Sequence, residues 1–228
     1  MLINSLSAWF TDNSRLVNLL IDATGQTLVM VLMSGLIGFL VGIPLGVALQ
    51  ITKPGGLAAS PLVNRCLAIL VNIGRSIPFI ILLVAIIPFT RFVVGSSIGT
   101  SAAIVPLTVA AIPFIARLVE GALIEVPSGL VEAAQAMGAT PTQIIIKVLL
   151  PEALPGIINA VTITLVTLVG YSAMAGTVGG GGLGDVGIRY GYQRFDGTVM
   201  AITVILLVIL VQLIQSTGDR LVSKVDHR

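Results

Sequence analysis

Four stretches without a charged residue, each long enough to cross a lipid bilayer, constrain this chain more than any other feature. They are residues 23–52, 92–116, 153–184 and 197–218, with lengths of 30, 25, 32 and 22 residues. A membrane-spanning helix needs about 20 predominantly apolar residues, so each stretch predicts one span. Charged residues make up only 10% of the chain, against about 25% in an ordinary soluble domain. The sequence therefore predicts an all-α polytopic membrane protein.

A fifth apolar stretch, residues 66–90, contains Arg75 and has 15 uncharged residues after that charge. We interpret it as a fifth transmembrane helix. A cation left in hydrocarbon costs at least about 2.5–3.5 kcal/mol, so Arg75 is expected at the cytoplasmic edge of the bundle. The alternative is that Arg75 faces the transport path and binds substrate.

Five spans place the two termini on opposite sides of the membrane. Seven Lys and Arg residues then fall on one side and four on the other. The positive-inside rule makes the richer side cytoplasmic, so the N-terminus is predicted outside and the C-terminus inside. Residues 1–22 are predicted to form an extracytoplasmic interfacial segment, residues 23–222 the transmembrane domain, and residues 223–228 a cytoplasmic tail.

Several kinds of site are excluded by composition. Cys66 and His227 are the only residues of their types in the sequence, so one chain can build neither a disulfide nor a Cys/His metal site. None of the three lysines lies in a Gly-Lys-Ser/Thr motif, so the chain carries no nucleotide-binding P-loop of its own. A net charge of +2 gives no electrostatic footprint for nucleic acid. No cofactor or metal is expected.

Two glycine patterns point to close packing. In the first span, Gly35, Gly38, Gly42 and Gly46 form one stripe, which is expected to pack on another helix. Residues 176–185, GTVGGGGLGD, match the dinucleotide-binding pattern G-x-G-x-x-G. The run follows an apolar helix rather than a strand, so the pattern lacks the context that gives it meaning. We predict a hinge or close-packed turn at the outer mouth of the bundle.

The longest cytoplasmic connection, residues 118–151, is predicted to form a helical hairpin. Ser128 is expected to cap its first helix, and Gly138 is expected to end that helix in a left-handed conformation. Thr140, Pro141 and Gln143 are typical of the start of a second helix, with a capping box. Pro151 is expected to stop it.

The first hairpin helix presents small residues beside one carboxylate. Ala133, Ala134, Ala136 and Gly138 lie near Glu132. Small side chains allow close approach of a partner surface, and one carboxylate can fix the register of docking. From the residues alone, a docking helix and an ordinary interfacial helix both remain open.

The hairpin resembles the cytoplasmic loop of permease subunits of ABC importers. In that loop, the sequence Glu-Ala-Ala is followed by three residues and a Gly, and nine further residues lead to Ile-x-Leu-Pro. This chain has EAA at 132–134, Gly138 and VLLP at 148–151, so only the isoleucine departs, to Val148. The stretches NIGRSIPFIILLVAIIPFTRFVVGSSIG, AAIVPLTVAAIPFIARLVE and LVGYSAMAGTVGGGGLG also look like methionine-import permeases. The resemblance covers about residues 21–222.

The resemblance implies the type I ABC importer permease fold, with five transmembrane helices plus a cytoplasmic coupling helix hairpin, in the bacterial inner membrane. It also implies four kinds of partner: a second copy of the chain, two ATP-binding cassette subunits, an extracytoplasmic substrate-binding protein and membrane lipid. ATP would be bound by the partner subunit, so the chain itself would be no enzyme. Glu132, Ala133, Ala134, Ala136 and Gly138 would couple it to the ATPase.

We expect the gate in residues 168–176. Met174 from each of two copies would meet on the two-fold axis, since an unbranched thioether suits a plug that reopens repeatedly. Tyr171 and Ser172 could touch a passing zwitterion, and helix packing or hydrogen bonding is the alternative for all three. Arg75 is the fourth candidate for the substrate path.

Three other functions are alternatives to methionine import. Betaine and choline importers also carry an EAA loop and a Gly-Gly-Leu-Gly run, and they are the nearest alternative. A stand-alone secondary transporter would be expected to show inverted repeats or charges paired inside the membrane. A membrane-embedded enzyme would be expected to show a nucleophile–base pair or clustered carboxylates, and the sequence shows neither.

Overall fold

The structure is a computed structural model that describes residues 14–225. Every regular element in this part of the chain is helical. The α-helices, in chain order, are α1 (Ser14–Thr52), α2 (Pro61–Ser76), α3 (Phe79–Ala85), α4 (Ile87–Val94), α5 (Thr100–Ile124), α6 (Ser128–Ala136), α7 (Pro141–Ile144), α8 (Leu150–Glu152), α9 (Leu154–Gly176), α10 (Gly182–Val186) and α11 (Gly197–Val225). Two π-helical segments, Ile145–Leu149 and Gly187–Tyr192, follow α7 and α10.

Four of these helices are long and apolar enough to cross a membrane: α1, α5, α9 and α11. The fifth candidate is a bent pair, in which α2 and α3 meet at an angle of 100°. The apolar stretch over residues 66–90 therefore contains a bent helix pair, which has the geometry of a broken span or of a re-entrant loop, and Pro78 lies at the break. Proline favours a break because it fixes φ and removes a backbone donor.

Helix α1 is longer than a bilayer requires. Its 39 residues extend over about 58 Å at about 1.5 Å per residue, while the hydrocarbon core is about 30 Å thick. Residues 14–22, predicted as part of a separate interfacial segment, continue this helix without a break. Residues 1–13 of that segment lie outside the described residues.

The glycine stripe of α1 packs against α5, as predicted. A Cβ added to Gly42 would lie 2.7 Å from Ile115 Cγ2, and one added to Gly46 would lie 2.6 Å from the Ala116 carbonyl oxygen. Such distances leave no room for a side chain, so the two helix backbones touch directly. Met30, Leu107 and Ile115 are fully buried and belong to the main core.

The second hairpin helix does not stop at Pro151, contrary to the prediction. Helical structure runs from Pro141 through Glu152, and Ala153 alone separates it from α9. Pro151 lies in the first turn of α8, directly after the π turn Ile145–Leu149, and the first turn of a helix tolerates proline because its N–H has no partner there. The inner hairpin, defined here as residues 128–152, is thus joined to α9 almost without a loop.

Candidate functional site

The inner hairpin has the turn chemistry that its sequence predicts, apart from its first cap. Pro127 occupies the N-cap position of α6, and Ser128 is already the first helical residue. The predicted Ser128 cap is therefore wrong, because the preceding proline takes the capping position. Gly138 has φ of +79°, and the N–H of Ala139 donates to the Ala134 carbonyl at 3.1 Å. This left-handed end of α6 is as predicted.

The predicted capping box at α7 is present. Thr140 Oγ1 accepts a hydrogen bond from the Gln143 N–H at 3.4 Å, and the Thr140 N–H donates to Gln143 Oε1 at 2.9 Å. Pro141 occupies the first helical turn. These bonds satisfy backbone donors that would otherwise be unpaired at the helix start, and they fix the turn between the two hairpin helices.

Helix α6 has one buried and one exposed face. Ala134 is only 4% exposed and belongs to the main core, so it holds the helix against the bundle. Of the five residues predicted to couple to an ATPase, the other four lie on the exposed part of the hairpin: Glu132, Ala133, Ala136 and Gly138. The structure therefore brings four of the five together on one accessible surface.

Met137 belongs to this surface and was missed by the sequence analysis. Its side chain is 82% exposed at the end of α6, directly before Gly138. Single exposed apolar side chains are common on protein surfaces, so the position of Met137 beside the predicted coupling residues is what makes it a candidate partner contact. The available signal was a large apolar residue beside a predicted left-handed glycine on a short solvated helix.

The core of the hairpin is shared with the membrane-spanning bundle. Ile144 and Leu149 are buried and belong to the same cluster as Leu168 and Val169 of α9. Close-packed interiors transmit displacement rather than absorbing it. The hairpin and α9 therefore share one core, and Ala153 alone separates them along the chain.

Met174 lies near the end of α9, where its side chain is 47% exposed. It lines a largely apolar cavity of about 380 Å³ together with Met200, Thr203 and Leu207 of α11. Among the described residues that line this cavity, Met174 is the only one of the four predicted path residues. The position suits a movable plug, because Met174 is neither locked in the core nor fully solvated.

Tyr171 lies one turn before Met174 and stacks on Phe79, the first residue of α3. The ring centroids are 4.5 Å apart and the ring planes differ by 4°. The stack ties α9 to the helix that follows the 100° bend. In this structure the Tyr171 ring therefore has the packing role that was the alternative to a direct substrate contact.

Ser172 and Arg75 occupy different surroundings. Ser172 is 1% exposed, and its hydroxyl donates to the Val169 carbonyl at 2.7 Å, so its polar atom is already used within α9. Arg75 is exposed in the last turn of α2, next to the bend. A cation there faces the negative end of the helix dipole.

The glycine run is a close-packed turn, and its donors are used by protein. The Gly182 N–H donates to Gln26 Oε1 at 2.8 Å, and the Leu183 N–H donates to Thr27 Oγ1 at 2.9 Å. A Cβ on Gly184 would overlap the Ala173 carbonyl oxygen. Side chains of α1 thus accept hydrogen bonds from two backbone donors of this run.

Comparison with known proteins decides the family. The profile of the family "binding-protein-dependent transport system inner membrane component" matches residues 38–225. The chain belongs to this family. It is accordingly a transport permease of the inner membrane, and the ATPase is a separate subunit.

Individual relatives agree with this assignment. A probable D-methionine transport system permease protein MetI from Vibrio cholerae is 65% identical over 228 residues, covering 100% of both chains. The D-methionine transport system permease protein MetI of Escherichia coli K12 is 63% identical over 158 residues, which are 69% of this chain and 73% of that protein.

Solved structures show the same fold. A chain of the MetNI methionine ABC transporter in an inward-facing conformation superposes with a TM-score of 0.91 and 60% identity, over 92% of this chain and 98% of that one. A chain of an amino acid ABC transporter with histidines superposes with a TM-score of 0.71 at 18% identity, over 94% of this chain and 95% of that one. The second likeness shows the fold alone.

Proposed function

We propose that this chain is the permease subunit through which methionine enters the cell, by alternating access driven by a partner ATPase. The observation that carries the mechanism is the continuity between the inner hairpin and α9, which Ala153 alone separates. The substrate is supported by the 65% identity to a probable D-methionine permease. These high identities to methionine permeases also favour methionine over the betaine and choline alternative.

The exposed face of the inner hairpin is where an ATP-binding cassette subunit would dock. Ala133 and Ala136 allow close approach of the partner backbone, and Glu132 supplies one charge that fixes the register. Met137, 82% exposed, supplies an apolar anchor for a pocket on the partner. ATP binds to that partner, and this chain needs no cofactor of its own.

Closure of two ATPase subunits around ATP would displace the hairpin, and α9 would follow it. The buried Ile144 and Leu149 connect the hairpin to the core of α9. The Tyr171–Phe79 stack then carries the movement to α3. ATP shifts the equilibrium because the closed ATPase pair favours one arrangement of the bundle.

A second copy of the chain would complete the path. Met174 is half exposed beside an apolar cavity, and a two-fold partner would bring a second Met174 opposite it. The thioether is flexible and apolar, so two such side chains can close the path without trapping a polar solute.

We place the inner hairpin in the cytoplasm, with the N-terminus outside and the C-terminus inside, because this arrangement satisfies the positive-inside rule. The segment between α10 and α11 then lies on the outer face, where Tyr192 is 66% and Phe195 is 89% exposed. A substrate-binding protein would contact the permease on this face. Lipid would surround the exposed apolar side chains of α1 and α11.

The test is uptake of labelled methionine into proteoliposomes that hold this permease, its ATPase and the binding protein. We expect ATP-dependent uptake, and ATP hydrolysis stimulated by methionine with the binding protein. Stimulation by betaine and not by methionine would move the assignment to the alternative family of permeases. Uptake that needs no ATPase would instead indicate a secondary transporter.

A further inference from the structure

A second cavity, which has a polar lining, lies on the inner side of the molecule, away from Met174. It has a volume of about 460 Å³ and opens between the turn after α1 and the inner hairpin. Its polar lining comes from Gln50, Lys53, Ser128, Glu132 and Gln135. Small-molecule sites in proteins occupy about 300–1,000 Å³ and combine an apolar floor with a few placed polar groups. This cavity has the size and the lining of such a site.

The two charges of the cavity are opposite and unpaired. Lys53 and Glu132 are its charged lining residues within the described part of the chain. The two described ion pairs, Arg117–Glu120 and Arg189–Asp185, involve neither of them. A cation and a carboxylate that share a cavity without touching leave space for a molecule that carries both charges.

A third polar group in the same cavity lacks a partner. Gln50 Oε1 is buried and accepts no hydrogen bond from any described residue. A buried acceptor left unpaired destabilises the protein. Rotation of the Gln50 amide toward the cavity would let Oε1 accept a hydrogen bond from the N–H of a ligand.

Both walls of the cavity are held rigidly. The turn that carries Lys53 is fixed by bonds from the Gly56 N–H to the Lys53 carbonyl at 2.8 Å and from the Ala58 N–H to the Ile51 carbonyl at 3.0 Å. Asn64 of α2 adds a bond from Nδ2 to the Leu49 carbonyl at 2.7 Å. The wall that carries Glu132 is fixed by the buried Ala134. Preformed walls lower the cost of ordering on binding.

We propose that this cavity binds a free zwitterionic amino acid with an apolar side chain. The carboxylate lies at Lys53, and the ammonium lies at Glu132 and within reach of Gln50 Oε1. The apolar side chain lies against Leu57, Val131 and Leu149, which form part of the floor. A bound amino acid ties the first inner turn to the hairpin that carries the ATPase-docking face. The inference rests on the proposed function only in placing this cavity on the cytoplasmic side.

The experiment uses the full-length permease in lipid nanodiscs, without ATPase or binding protein, and radiolabelled L-methionine as the probe. We expect saturable binding of one methionine per chain, with competition by L-norleucine. 3-(Methylthio)propylamine lacks the carboxylate and 4-(methylthio)butanoate lacks the ammonium, so neither competes. Absence of saturable binding, or equal competition by the singly charged analogues, overturns the proposal.

Point substitutions test whether methionine binds in this cavity. Lys53→Gln raises the Kd by at least about tenfold, since a charge-assisted hydrogen bond contributes on that order. Lys224→Gln removes an exposed lysine at the end of α11 and leaves the Kd unchanged. Gln50→Leu also weakens binding, while the protein stays folded by size exclusion. A Kd that is unchanged by the substitutions at Lys53 and Gln50 would show that methionine binds elsewhere in the chain, and it would overturn the proposal.

Uptake by the assembled transporter separates this inference from the proposed function. If the transporter imports methionine and the permease alone shows no binding that depends on Lys53, the cavity site is wrong and the proposed function stands. If Lys53-dependent binding is found without ATP-driven uptake, the proposed function is wrong and the cavity site stands.

Discussion

Tyr171 and Phe79 stack face to face, with ring centroids 4.5 Å apart, although 91 residues separate them in the chain. The contact joins the segment that holds Met174 to the helix beyond the α2–α3 bend. Phe79 is buried, whereas Tyr171 is half buried. The pair therefore links two separate helices rather than two parts of one helix.

The role of the Tyr171 ring can be separated from that of its hydroxyl. Tyr171→Phe keeps the stack, so we expect methionine uptake to stay within about twofold of wild type, which is about 0.4 kcal/mol in the barrier. Tyr171→Ala removes a pair contribution of about 0.5–1.5 kcal/mol and some burial, so uptake falls. Initial uptake rates at several methionine concentrations check this. A large rise in KM for Tyr171→Phe would show that the hydroxyl contacts substrate.

Docking of the ATPase should depend on Met137. Full burial of a methionine side chain contributes about 1.5–3 kcal/mol, and each 1.4 kcal/mol is about tenfold in Kd. Met137→Ala should therefore weaken association with the ATPase by about tenfold or more. Leu221→Ala is the control, because Leu221 is also exposed, near the C-terminal end of α11, but lies off the hairpin. Microscale thermophoresis with labelled ATPase measures both, and equal effects of the two variants would contradict a specific anchor.

The bond between α1 and the glycine turn should contribute to stability. Thr27 is 1% exposed, and Thr27→Val leaves the Leu183 N–H without its acceptor. An unpaired buried donor costs about 1–3 kcal/mol, so the Tm should fall. The matched control is Thr24→Val, because the Thr24 hydroxyl donates to the Leu20 carbonyl within its own helix. Fluorescence-detected thermal unfolding in detergent compares the two, and an unchanged Tm for Thr27→Val would rule out this contribution.

Features that depend on neighbouring residues could be predicted from the sequence. The Thr140–Gln143 capping box and the left-handed Gly138 follow from side-chain and backbone chemistry within one turn. The glycine stripe of α1 was predictable because helical spacing alone places it on one face. The assignment of residues 23–52 to a span holds for the same kind of reason, since length and lack of charge suffice.

Features that depend on distant parts of the chain could not be predicted. The Tyr171–Phe79 stack, the exposure of Met137 and the burial of Ala134 depend on how separate helices meet. The prediction that Pro151 ends a helix is wrong. The helix continues through a π turn before Pro151, and this turn has no local sequence signal. The Gln26 and Thr27 bonds to the glycine turn span 156 residues, so the sequence pattern could exclude a dinucleotide site but could not show what fills its place.

Close contact between α1 and α5 should make Gly46 intolerant of even one methyl group. A Cβ there would lie 2.6 Å from the Ala116 carbonyl oxygen and 2.8 Å from Val119 Cβ, both on α5. Overpacking of this kind costs about 1–3 kcal/mol, so Gly46→Ala should lower the Tm and the yield of folded protein. Gly25→Ala is the control in the same helix, because nothing lies within 4 Å of its added Cβ. Thermal unfolding of both variants in the same detergent checks the difference; if Gly46→Ala is as stable as Gly25→Ala, the two helices do not touch at this point.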